Sequence, residues 1–85
     1  MSDLIIESKH RGKLELIYAV LNALDEPQRM LQITYKARID NRTWQQLKKE
    51  MIGRYLILQN GLHIARTSKG TRVIELLREV KVMLP

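Results

Sequence analysis

Apolar positions along this chain fall into successive runs, each with its own period. Between about Lys9 and Leu24, Leu14, Ile17, Tyr18, Leu21 and Leu24 recur at three- and four-residue steps, which predicts an amphipathic helix. Leu16 and Val20 widen its stripe, and a stripe that broad belongs at the centre of a core or against another subunit. Asp25-Glu26-Pro27 stops the helix, because proline disfavours helical backbone in the residue before it. From about Gln28 to Arg38, Met30, Ile33, Thr34 and Ala37 repeat the helical period. Ile39 then stands as an inward plug in a turn. Asp40 follows as an N-cap, its carboxylate able to accept from the free amides of a helix over about 41–54. On a helical wheel Trp44, Leu47, Met51 and Tyr55 group within about 80°, the buried face. Arg42, Gln46, Lys49 and Gly53 point the other way, with Gln45 at the edge.

The period then changes. Leu56-Ile57-Leu58-Gln59 reads as a strand, Asn60-Gly61 as a type I′ hairpin turn, and Leu62 to Arg66 as the returning strand. Thr67 caps a last helix over about 68–84, in which Val73, Leu76, Leu77, Val80, Met83 and Leu84 hold one face, with Ile74 and Val82 beside it. The order helix, turn, helix, two-stranded wing, helix predicts a mainly α fold with a two-stranded β wing, a winged helix-turn-helix. Residues 1–8 form a leader carrying Leu4, Ile5 and Ile6, and residues 9–85 form one domain that includes the C-terminal helix.

Charge sharpens this picture. The 85 residues carry a formal net charge of +6 and a pI near 10.0. Residues 1–28 hold three Lys/Arg against five Asp/Glu, residues 29–54 seven against two, and residues 55–85 five against two. Positive charge therefore concentrates on the second helix of the motif and on the wing, as an electrostatic footprint for DNA would. A merely solvated basic surface gives no reason for an acidic first third. A single domain of this size buries about 60–65% of its unfolded surface, so a second subunit is a natural source of further apolar contact.

Candidate chemistry follows from position. A helix entering the major groove needs long donors near its start, and Arg42, Gln45 and Gln46 supply them. Arginine pairs bidentately with guanine and glutamine with adenine, while Lys49, one turn on, suits phosphate. These residues are also ordinary exposed helix formers; the order of elements around them favours the groove. Arg38 joins this set from the turn. Arg66, Lys69 and Arg72 follow the wing and open the last helix, where cations oppose the helix dipole unless an anion such as phosphate compensates.

Other chemistry is poorly represented. Trp44 sits among core positions rather than on a base-stacking face, and Tyr18, Tyr35 and Tyr55 read as core or core-rim residues. With no phenylalanine, an aromatic RNA-binding sheet is unsupported. Cysteine is absent, which removes disulfides and thiolate zinc sites. His10 and His63 lack companion ligands for a metal. Ser2, Ser8 and Ser68 lie in no nucleophile elbow, and Thr67-Ser68-Lys69-Gly70 is not a phosphate-binding P-loop. No cofactor is expected, and no catalytic residue. No apolar run reaches the roughly 20 residues of a membrane span, so no membrane partner is expected.

Several of these residues also resemble a family. Tyr35-Lys36-Ala37, Ile39, the cap at Asp40, Leu47-Lys48-Lys49, Leu56-Ile57 and Thr67-x-Lys69-Gly70 are similar to small archaeal winged-helix proteins described as chromatin proteins or predicted transcriptional regulators. Arg11-Gly12-Lys13-Leu14-Glu15 with Ile17 resembles the start of their first helix, and the similarity runs from about Arg11 to Leu77. The resemblance implies a DNA-binding homodimer joined through an antiparallel coiled coil of C-terminal helices. It implies Arg42, Gln45, Gln46 and Lys49 as the reader, with Arg66 and Lys69 as wing contacts. Two positions depart from the pattern. Tyr55 stands where the family usually has glycine, and a helix ending at Pro85 implies a shorter coiled coil.

The expectation is a protein of the cytoplasm and nucleoid that binds double-stranded DNA as a homodimer, a transcriptional regulator or chromatin-associated protein. Val73, Leu77, Val80 and Leu84, spaced four, three and four, form the expected dimer seam, with Leu76 and Met83 facing the domain's own core. The alternatives are a winged helix used for protein contact and a binder of structured RNA.

Overall fold

A computed structural model describes residues 12–83 of the chain. The leader, Lys9, His10, Arg11, Leu84 and Pro85 lie outside the described residues. Helix α1 (Lys13–Ala23) leads into a short strand β1 (Gln28–Arg29). Helices α2 (Met30–Ala37) and α3 (Asn41–Gly53) follow, then strands β2 (Ile57–Asn60) and β3 (His63–Arg66), and helix α4 (Ser68–Met83) closes the order. The strands form one antiparallel sheet in the order β1-β3-β2.

Two local expectations shift. Gln28 and Arg29 do not begin a helix; they pair with Ile64 and His63 on the free edge of β3, giving the wing a third strand. Pairing partners so distant in sequence leave no trace in a helical period, and the ladder bonds win over one more helical turn. The hairpin is also displaced by one residue. Asn60 pairs with His63, so the turn residues are Gly61 and Leu62, and Gly61 alone has positive φ, at 63°. This is the type II′ requirement, positive φ at the first central residue only, rather than the type I′ requirement at both.

The core gathers Val20, Leu21 and Leu24 from the end of α1, Ile33 from α2, Trp44 and Met51 from α3, Ile57 from β2 and Ile74 from α4. Its inward line on α1 runs through Ile17, Val20 and Leu21, so Leu14, expected on the stripe, is 65% exposed. Tyr18 remains at the core rim, with the Lys81 ammonium 4.8 Å from its ring centre. Trp44 has no exposed surface. Its Nε1–H meets no protein acceptor among the described residues, so packing alone fixes the ring. Full burial also removes it as a base-stacking surface. Tyr35 does not reach the core; it is 85% exposed on the outer side of α2.

Helices α2 and α3 each close at the C-terminal end with a left-handed residue. Arg38, at φ 56°, ends α2, and the Ile39 amide donates back to the Thr34 carbonyl at 3.1 Å. Tyr55, at φ 61°, ends α3, where its own amide donates to the Ile52 carbonyl at 3.0 Å and that of Leu56 to Met51 at 2.9 Å. The second arrangement is a full Schellman closure, which normally takes glycine at the left-handed position. A side chain there costs about 1–2 kcal/mol.

Candidate nucleic-acid interface

Helix α3 is set by its first residue and by its apolar face. The Thr43 amide donates to Asp40 Oδ1 at 2.7 Å, closing the helix start as expected. Hydrogen bonds from the Thr43 side chain and amide hold the Asp40 carboxyl below its ordinary value. Trp44, Leu47 and Met51 are all buried, which fixes the rotation of the helix about its axis. Arg42, Gln46 and Lys49 consequently face solvent. Gln45 behaves differently: it is half-buried, its Nε2 lies 3.4 Å from Asn41 Oδ1 and 3.5 Å from Met30 Sδ, and so its amide leans toward α2.

Ion pairing separates the cations. Glu50 takes Lys13 Nζ at 3.0 Å and Arg54 Nε at 3.3 Å, and these bonds, Lys13's foremost, hold its carboxyl below the usual range. No salt bridge among the described residues engages Arg42, Lys49 or Arg38. The outward face of α3 therefore carries cations held in no salt bridge among the described residues, the Asp40 carboxylate acting on Arg42 only through its field.

The Thr-x-Lys-Gly sequence divides into structural and surface members. Thr67 Oγ1 accepts from the Gly70 amide at 3.0 Å and donates to the Tyr55 carbonyl, tying the start of α4 to the exit of α3. The Thr67 amide also donates to the Leu56 carbonyl at 3.1 Å. Gly70 is buried against that carbonyl, and a Cβ there would lie 2.1 Å from the oxygen, so only glycine fits without moving backbone. Lys69 and Arg72 are exposed.

Arg66 is not a free wing contact. Its guanidinium is turned inward, with 16% of the side chain exposed. Nη1 donates to the Leu21 carbonyl at 2.9 Å and lies 3.8 Å from Asp25, while Nε donates to Thr71 Oγ1 at 3.2 Å. The Leu21 carbonyl at the end of α1 thus accepts from both the Leu24 amide and the cation, and the result ties the wing's root to α1 and α4.

On α4 the inward direction is set by Gly70 and Ile74, with Val73 and Leu77 half-buried. Leu76 and Met83, expected to face the domain's own core, point outward instead, together with Val80. The exposed apolar line of α4 therefore differs from the heptad positions read from the sequence. Leu76, Val80 and Met83, four and three residues apart, make the exposed apolar line, while Val73 and Leu77 sit at its inner margin. No group of three metal-ligating side chains occurs among the described residues, and none of their helices is long and apolar enough to cross a membrane.

Three helices, a hairpin packed beside the second helix of a helix-turn-helix, and a fourth helix after the wing define a winged helix-turn-helix domain. The sequence agrees: the profile of the winged helix-turn-helix family matches residues 10–84, and the chain belongs to that family. Among solved structures, its fold is similar to that of Sso10a-2, a DNA-binding protein from Sulfolobus solfataricus. The two share 18% sequence identity and a TM-score of 0.77 over 86% of this chain and 81% of that one. A search of curated proteins found no significant match.

Proposed function

We propose that this chain binds double-stranded DNA as a homodimer, acting on the nucleoid in the cytoplasm as a transcriptional regulator or chromatin-associated protein. The observation that carries this reading is the division of α3: its apolar residues are consumed by the core, and its outward face offers Arg42, Gln46 and Lys49, with neither cation in a salt bridge among the described residues. Such a face matches a groove edged by phosphates. Arg42, Gln46 and, with its amide released from Asn41, Gln45 read base edges. Lys49, Arg38, Lys69 and Arg72 meet phosphates. Arg66 serves by holding the wing in place. Likeness of fold to a DNA-binding protein supports the same partner.

The dimer joins through α4, along Leu76, Val80 and Met83 with Val73 and Leu77 at the margin. The expected seam member Leu84 lies outside the described residues. Duplex binding across a salt series tests the proposal. If about six phosphates are neutralised per dimer, log affinity falls against log salt with a slope of about −5. A salt-independent association would favour protein contact, and stronger competition by structured RNA than by duplex would favour the RNA alternative. Selection from a random duplex library separates a regulator, which enriches one motif, from a packaging protein, which does not.

A further inference from the structure

Tyr55 is held at a cost that its packing does not repay. Its φ of 61° lies in the left-handed region, and its side chain is 74% exposed, so little burial offsets the strain. Continued as helix, residue 55 would project on the same side as Trp44 and Met51. The left-handed step swings it out of the core and into solvent instead. Glycine would close α3 with the same two backbone bonds and no strain.

The surroundings indicate what such a side chain meets. No Asp or Glu occurs between Met51 and Ile74. Glu50, just before, is engaged by Lys13 and Arg54. The Tyr55 carbonyl is bonded by Thr67, the cap of the helix whose first turns display Lys69 and Arg72. An exposed phenol thus stands where the cationic face of α3 gives way to the cationic start of α4. We infer that Tyr55 is a DNA-contacting residue, its hydroxyl donating to a backbone phosphate oxygen at the edge of the groove that α3 occupies. This rests on the DNA-binding reading above and adds to it a neutral phosphate donor, a contact type that positions without reading sequence.

The test compares wild type, Tyr55→Gly and Tyr55→Phe by thermal melting and by duplex binding over a salt series. Tyr55→Gly relieves the backbone and raises the melting midpoint by about 3–6 °C, yet lowers affinity about fivefold or more. Tyr55→Phe keeps the wild-type midpoint and loses about threefold or more. In both, the salt slope stays at the wild-type value, because a neutral donor displaces no counterion, and the loss is the same for every duplex sequence. A Phe variant that binds like wild type overturns the contact. So does a slope flattened by about 1 or 2 units, which would trace the loss to a displaced lysine or arginine. A Gly variant that melts below wild type overturns the strain argument. Wild-type protein without salt-dependent duplex binding overturns the DNA reading itself, a result distinct from all of these.

Discussion

Helices α3 and α4 are of similar length, 13 and 16 residues, and both are amphipathic, yet they spend their apolar residues differently. On α3, Trp44, Leu47 and Met51 are all buried and the opposite face is polar and basic. On α4 only Gly70 and Ile74 are buried, while Leu76, Val80, Val82 and Met83 remain exposed. A helix whose apolar side is used up can recruit a partner only through charge and hydrogen bonds. A helix with apolar side chains left over gains by meeting another apolar surface. The same small fold thereby carries two kinds of surface, a polar, basic one along α3 and an apolar one along the later turns of α4.

The sharpest way to break this contrast is to remove the anchor of α3. Trp44→Ala is expected to lose about 3–5 kcal/mol of stability in chemical denaturation, enough to unfold much of the population. A Trp44→Ala protein that melts normally but no longer binds DNA would move the indole to the reading face. Next in size, Val80→Asp should shift sedimentation to monomer at tens of micromolar while changing the monomer's melting little, since Val80 is half exposed. Dimer formation should weaken tenfold or more, because pairing would bury unpaired carboxylates. An unchanged sedimentation coefficient would show that α4 is not the seam. Smaller again, Arg42→Ala should cost about 1–3 kcal/mol at a preferred duplex and less elsewhere. Equal loss on all sequences would make Arg42 a phosphate contact.

The smallest effect concerns acid. Asp40 and Glu50 both have folded-state values lowered below their ordinary 3.8 and 4.5. Their contribution is therefore fully present above those ordinary values and is lost as pH falls through the lowered ones. The melting midpoint should decline as pH drops below about 4.5, and Asp40→Asn, itself a good helix cap, should make that decline shallower. A variant with an unchanged profile would separate Asp40 from the acid response.

What was legible in the sequence was local. The caps at Asp40 and Thr67 sit three residues from the amides they accept from, and the core residues of α3 share one helical period. These signals need no knowledge of the rest of the chain. The inward turn of Arg66 is not legible locally, because the carbonyl that holds it belongs to Leu21, 45 positions earlier. The strand at Gln28 and Arg29 is hidden for the same reason, since its partners are Ile64 and His63. On α4 the period was visible but not its phase: Gly70, pressed on the Leu56 carbonyl, turns Ile74 inward and Leu76 outward, and a wheel alone does not contain that contact. Tyr35 and Tyr55 carry ring systems that composition assigns to an interior, while backbone geometry sends them to the surface.

The fit of Gly70 against the Leu56 carbonyl has a mechanical meaning. Backbone meets backbone there with no side chain between them, and Thr67 bonds across the same joint. Such a joint leaves little room to move, so α4 is a stiff handle on α3. In the proposed dimer, two chains coupled through these handles would hold their α3 faces at a set separation, with little freedom at the joint to adjust it. On the proposed reading, the duplex, as the softer body, would supply the bending when its groove spacing does not match.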